Sequence, residues 1–159
     1  QELKVSGSPF TMTFEWKRKR DNLYKEALHW VKHAAEANDS SAALLMSTWL
    51  RPMPEDDRVL MPVISTNATE SIKWAHLAGL RGNAMAWHEL GSRGMRDPAT
   101  KNLIMDTILL TPAMCFGNGA KLGSPTSMGA YAQCLMYGEG GIKADSKAAY
   151  QWWTKAAEK

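Results

Sequence analysis

Residues 129–158 read as two amphipathic helices joined by a glycine turn. Alanines, Leu135 and Tyr137 recur at helical spacing before Gly138-Glu-Gly-Gly-Ile142, and Ala148, Ala149, Trp152 and Ala156 recur after it. Weaker copies of the pattern lie upstream, at a period of roughly forty residues. A helical hairpin of this size cannot bury its apolar stripe alone, so it must stack on its neighbours. No segment sustains the period-two alternation of a half-buried strand, and none is expected. These features specify an all-α chain, a short right-handed α-solenoid of stacked antiparallel helix hairpins. A length of 159 residues suits about three to four such hairpins.

Punctuation marks out the elements. Residues 1–13 form an irregular N-terminal arm, broken by Ser6, Gly7, Ser8 and Pro9. A single repeat domain spans 14–159. Helical periodicity runs from Phe14 to Ala37 and from Ser41 to Leu50, with Asn38-Asp-Ser-Ser41 as stop and new N-cap. It resumes at Asn67 or Ala68, ends before Gly79-Leu-Arg-Gly82, and runs again from Asn83 to a stop at Gly94. Asp97-Pro98 starts a helix expected to reach Leu110, and Thr111-Pro112 repeats that start signal for another ending at Leu122. Helices at Thr126–Tyr137 and Asp145–Glu158 complete the chain.

The stretch from Pro52 to Thr66 holds three prolines and the acidic run Glu55-Asp56-Asp57. It is longer than an ordinary helix–helix connection, so it is either a recognition loop or a tolerated insertion.

The net charge of +3 is too small to imply a nucleic-acid partner. Lys17-Arg-Lys-Arg20 is met at once by Asp21, which favours a solvated first turn over a binding patch. No apolar run approaches the roughly 20 residues of a membrane span. The chain opens on Gln1, which marks either a chosen boundary or a cleaved export signal. Cys115 and Cys134 lie about equally far from the turn at Gly123-Ser124-Pro125. That places them level in an antiparallel hairpin, either as a disulfide or as two reduced, packed thiols. A bridge would argue for an oxidising compartment.

The terminal hairpin is similar to the Sel-one-like repeat, a relative of the tetratricopeptide repeat. Ala130, Tyr137, Gly138, Gly140, Ile142, Asp145, Lys147, Ala148, Trp152, Trp153, Lys155, Ala156, Ala157 and Glu158 carry the likeness. Ala86, Leu90, Gly91 and Gly94 resemble a first helix, and Lys25–Glu36 and Ser71–Ala78 resemble second helices. The resemblance is faint over 97–122, Cys134 stands where the family has Gly, and the glycine turn is one residue short. In such folds small residues (Ala43, Ala86, Gly91, Ala130) let helices approach, while Trp74, Trp152 and Trp153 are expected to fill the gaps between layers.

No catalytic motif is present in the sequence. There is no Gly-x-Ser-x-Gly elbow, phosphate-binding glycine loop or Cys-x-x-Cys pair. His29 and His33 stand four apart, but His-Trp-Val-Lys-His lacks the glutamate of a zinc protease, which makes two surface histidines the better account than a metal-dependent hydrolase. His76 and His88 stand alone. No metal and no cofactor are expected.

The resemblance implies a protein held along an inner groove lined by first helices. Trp49, Trp87, His88, Arg93, Tyr131 and the nearby Glu139 are its candidate contacts, with Glu55, Asp56 and Asp57 as a loop alternative. Tryptophan, tyrosine and arginine are the types enriched in binding hot spots. Small exported members of the family are sometimes encoded beside toxins. The narrowest expectation is therefore a periplasmic immunity protein that blocks an antibacterial effector, such as a phospholipase delivered by type VI secretion. The broader alternatives are a scaffold or adaptor for envelope assembly or signalling, and a cytoplasmic location.

Overall fold

A computed structural model describes residues 2–3, 12–52 and 64–159. Eight helices are present among them: α1 (Phe14–Glu36), α2 (Ser40–Leu50), α3 (Ala68–Leu80), α4 (Ala84–Arg96), α5 (Pro98–Ile108), α6 (Pro112–Lys121), α7 (Pro125–Tyr137) and α8 (Ser146–Ala157). The boundaries follow the capping residues. Asp39, Asn67, Asn83, Asp97, Thr111, Ser124 and Asp145 each accept a backbone amide of the following first turn. A side-chain oxygen at this position satisfies a donor that the helix leaves unpaired.

The expectation of no strands needs one correction. β1 (Glu2–Leu3) pairs antiparallel with β2 (Met12–Thr13), Glu2 opposite Thr13 and Leu3 opposite Met12. Two residues per strand are too few for any alternation to show in the sequence.

Three antiparallel pairs stack in order, α2 with α3, α4 with α6, and α7 with α8, and α1 packs on α2. α5 is inserted within the second pair and lies against α3 and α4. It brings the fully buried Ile104 into a cluster with Ile72, Ala75, Trp87, Leu90 and Cys115. The insertion explains the faint repeat pattern over 97–122. Leu109 closes α5 in the left-handed region at φ 56°, and the axis bends by 65° into α6. Among the described residues no single helix is long and apolar enough to cross a membrane.

Gly94 does not stop α4. It is buried inside the helix, where an added Cβ would meet Pro112 Cγ at 2.7 Å. The helix ends only at Arg96, because Asp97 precedes a proline and must be extended. Close approaches recur between successive helices. A Cβ on Gly79 would lie 2.6 Å from the Trp87 ring, and one on Gly91 would lie 2.7 Å from the Phe116 ring. Small residues on one helix thus admit large rings from the next, which is how the layers interdigitate. Ala43 and Ala86 play the same part and are fully buried.

The tryptophans divide. Trp87 lies in the core and Trp74 packs half-buried against the cluster around Ala78. Trp152 lies against Tyr131, with ring centroids 5.7 Å apart, and carries the Lys155 ammonium over its face. Trp153, expected between layers, is instead exposed, as are Trp16 and Trp30. One face of a helix meets its neighbour, and Trp153, about 100° round from Trp152, points away from it.

A candidate protein-binding groove

The first helices α4 and α7 meet and line one groove. α4 presents His88, Ser92 and Met95 along one face, at the spacing of successive turns. α7 faces it with Ala130, Gln133 and Cys134, and Phe116 of α6 makes the floor. Glu139, just past α7, stands at the rim. Together these side chains enclose a groove of about 480 Å³. The His88 ring tilts over Phe116 with centroids 5.4 Å apart, and its Nδ1 is buried without a hydrogen-bond partner among the described residues. An apolar floor with a polar rim suits a polypeptide better than a purely apolar ligand.

A second cavity of about 410 Å³ adjoins the first and shares Arg96 with it. Arg51, Arg93, Thr100 and Leu103 also line it. Its polar groups belong to a network across three helices. Ser71 Oγ donates to the Ser47 carbonyl at 2.7 Å, and Arg93 Nη1 donates to Ser71 Oγ at 3.2 Å. Arg51 pairs with Glu89 at 3.0 Å. Burial is the main reason the Arg93 guanidinium gives up its proton more readily than usual; Glu89 opposes that shift, while Arg51 and Arg96 add to it. Even so, a guanidinium stays charged at neutral pH.

The expected contacts separate accordingly. His88 and Glu139 line the groove. Tyr131 and Trp49 are half-buried, and Tyr131 is committed to Trp152. Arg93 lies in the second cavity at 7% exposure. Trp87 is not a surface contact, since at 4% exposure it seals the core between Gly79 and His76, a ring 5.4 Å away. Glu55, Asp56 and Asp57 lie outside the described residues. Sequence reasoning missed Ser92, Met95, Arg96 and Gln133. The signal was available: Ser92, Met95 and Arg96 follow His88 by four, seven and eight residues, whereas Arg93 sits about 140° round from it.

Of the two readings of Cys115 and Cys134, a bridge or two packed thiols, the second holds: both are free and buried. Cys115 points into the cluster with Trp87 and Leu90, while Cys134 packs with Ala113 and Phe116. Being level in a hairpin does not make two Cβ vectors converge. Burial pushes the Cys115 thiol up to about 12 and raises that of Cys134 as well, with Glu139 adding to the latter. His29 and His33 lie edge to face at 5.2 Å on the exposed side of α1, and among the described residues no third ligand joins them.

The Sel1 repeat model matches residues 18–39, 62–83 and 125–159, which cover most of α1, α3 and the terminal hairpin. The chain is similar to the crystal structure of a Sel1 repeat protein from Oxalobacter formigenes, at 22% identity and a TM-score of 0.63. That match covers 84% of this chain and 49% of the other, so the chain spans about half its length. A protective antigen of uropathogenic Escherichia coli strains, described as displaying an SLR fold, also matches at 20% identity over 82% of this chain and 33% of that one. Its TM-score of 0.33 is too low to bear on the fold. No curated protein matches.

Proposed function

From the premise that this chain belongs to the Sel1-repeat family, whose repeats indicate a protein–protein interaction module and generally a non-catalytic scaffold, we propose that it holds its partner in the groove between α4 and α7. The observation that carries this reading is the groove itself, where the His88 ring and the Phe116 floor lie beside exposed Glu139 and Gln133. A bound segment can bury an apolar side chain on the Phe116 ring while its polar groups meet Gln133 and Glu139. Binding of that kind requires complementary surface, typically about 1,600 Å² in all, and no catalytic group.

In its narrowest form the proposal is an immunity protein in the periplasm that occludes an antibacterial toxin, for instance a phospholipase. Two unbridged thiols lend no support to an oxidising compartment, so both this identity and the location rest on the family resemblance alone. Mixing the purified protein with a lipase toxin encoded beside it is the direct test. Stoichiometric inhibition, lost in Ala130→Arg while the helical signal is unchanged, is the expected outcome. Undiminished lipase activity at excess protein would sink the immunity reading. Recovery of several weak partners and no tight one would favour a scaffold instead.

A further inference from the structure

Building on the protein-binding reading, on which it rests, we propose that the cavity bounded by the ends of α2 and α4 and the starts of α3 and α5 receives a carboxylate of the bound protein, held by Arg93 and Arg96. Arg93 is almost entirely buried, yet among the described residues its guanidinium makes one hydrogen bond, to a serine hydroxyl, and no ion pair. A buried charge is costly to leave uncompensated. Its planar fork has five donors, and one is used by Ser71.

The neighbouring charges leave the place open for an anion. Glu89 is engaged by Arg51. Asp97 also lines the cavity, but its oxygens take the amides of Ala99 and Thr100 and the Thr100 hydroxyl, and these hydrogen bonds, led by that hydroxyl, hold its carboxyl below the usual range. Three guanidinium groups therefore line the cavity with one carboxylate, Asp97, while Glu89, paired with Arg51, offsets the Arg93 charge only in part. Arg96 donates from Nε to the Ser92 carbonyl at 3.2 Å, which steadies a fork that makes no ion pair among the described residues. Arginine matches a carboxylate with two parallel hydrogen bonds, the geometry that gives such pairs their strength.

The lining also selects the ligand. Ile72, Leu103 and Pro52 supply apolar walls for the methylenes of an acidic side chain or for the last residue of a chain. Because Arg96 borders both cavities, the two sites lie side by side at the end of α4, within reach of one bound protein.

The carboxylate comes either from an acidic side chain or from a chain terminus, and NMR titration of the full chain distinguishes them. Three probes serve: acetyl-Ala-Leu-Ala with a free terminus, acetyl-Ala-Asp-Ala amide, and acetyl-Ala-Asn-Ala amide. The Arg93 and Arg96 Nε–H signals should shift saturably with one or both acids and stay still with the asparagine peptide. Arg96→Gln, at an exposed position that leaves the core intact, should weaken the effect by roughly tenfold or more. Whichever acid binds more tightly names the source. The inference is overturned by no saturable shift with either acid, or by an equal response to the asparagine peptide. It is equally overturned if binding emerges only in the Glu55→Gln, Asp56→Asn, Asp57→Asn variant, which would hand the cavity to the chain's own acidic run. Silent probes alongside toxin inhibition that Ala130→Arg still abolishes would refute the cavity alone and leave the groove reading standing.

Discussion

Gly91 and Gly129 show how one substitution changes sign with its surroundings. A methyl on Gly91 would press into the Phe116 ring, whereas one on Gly129 meets nothing within 4 Å. Gly91→Ala should cost about 1–3 kcal/mol, since an overfilled contact forces rings or backbone aside. Gly129→Ala, in the regular helix α7, should gain about 0.4–1 kcal/mol by restricting the unfolded chain. Urea midpoints of the two variants check both signs at once. Cys115 supplies a pH dependence. With its thiol raised from 9.0 to about 12, the folded chain keeps that proton while the unfolded chain loses it. Stability should therefore be intact below pH 9 and decline as pH rises toward 12, by up to about 1.4 kcal/mol per unit from this group. Cys115→Ala should flatten the decline, as measured by denaturation at stepped alkaline pH.

The elements depend on capping more than on propensity. Asn83 accepts the Ala86 amide at 3.2 Å at the start of α4, the helix that carries half of the groove's lining. Asn83→Ala should cost about 1 kcal/mol and Asn83→Asp much less, read from urea unfolding. The glycine turn after α7 has a tertiary duty. The Ala113 amide donates to the Gly140 carbonyl at 3.1 Å, and a Cβ on Gly141, at φ +86°, would lie 2.9 Å from Thr111. This turn docks the last hairpin on the start of α6. Gly141→Ala should therefore destabilise by more than about 1 kcal/mol, through strain and contact together, and lower the thermal midpoint.

For the whole molecule, stability should vary along the stack. Each layer touches only its neighbours, so the middle is held from both sides and the ends from one. Hydrogen exchange should show the slowest amides in α3, α4 and α6, and faster exchange in α1 and α8. The exposed Trp16, Leu23 and Trp30 of α1 agree with a helix covered on one side only. A uniform exchange rate across all helices would count against a layered interior. Arg81, which donates from Nη1 to the Ala35 carbonyl at 2.6 Å, ties the end of α3 to α1 and is the described polar link between those helices.

Helix starts were readable because caps are local chemistry: Asp97-Pro98 and Thr111-Pro112 specify a boundary whatever surrounds them. The recurring amphipathic helix pairs likewise implied stacked hairpins, because one such pair cannot bury its apolar stripe alone. What only the tertiary structure decided was direction. Gly94 reads as a stop until Pro112 is seen against it, and Trp87 reads as a hot spot until Gly79 is found beneath its ring. Cys115 and Cys134 read as a pair until their faces prove different. Arg93 and Arg96 are three residues apart, yet one is buried and the other exposed. Which way a side chain points depends on helix crossings set by residues far along the chain, and those are not local chemistry.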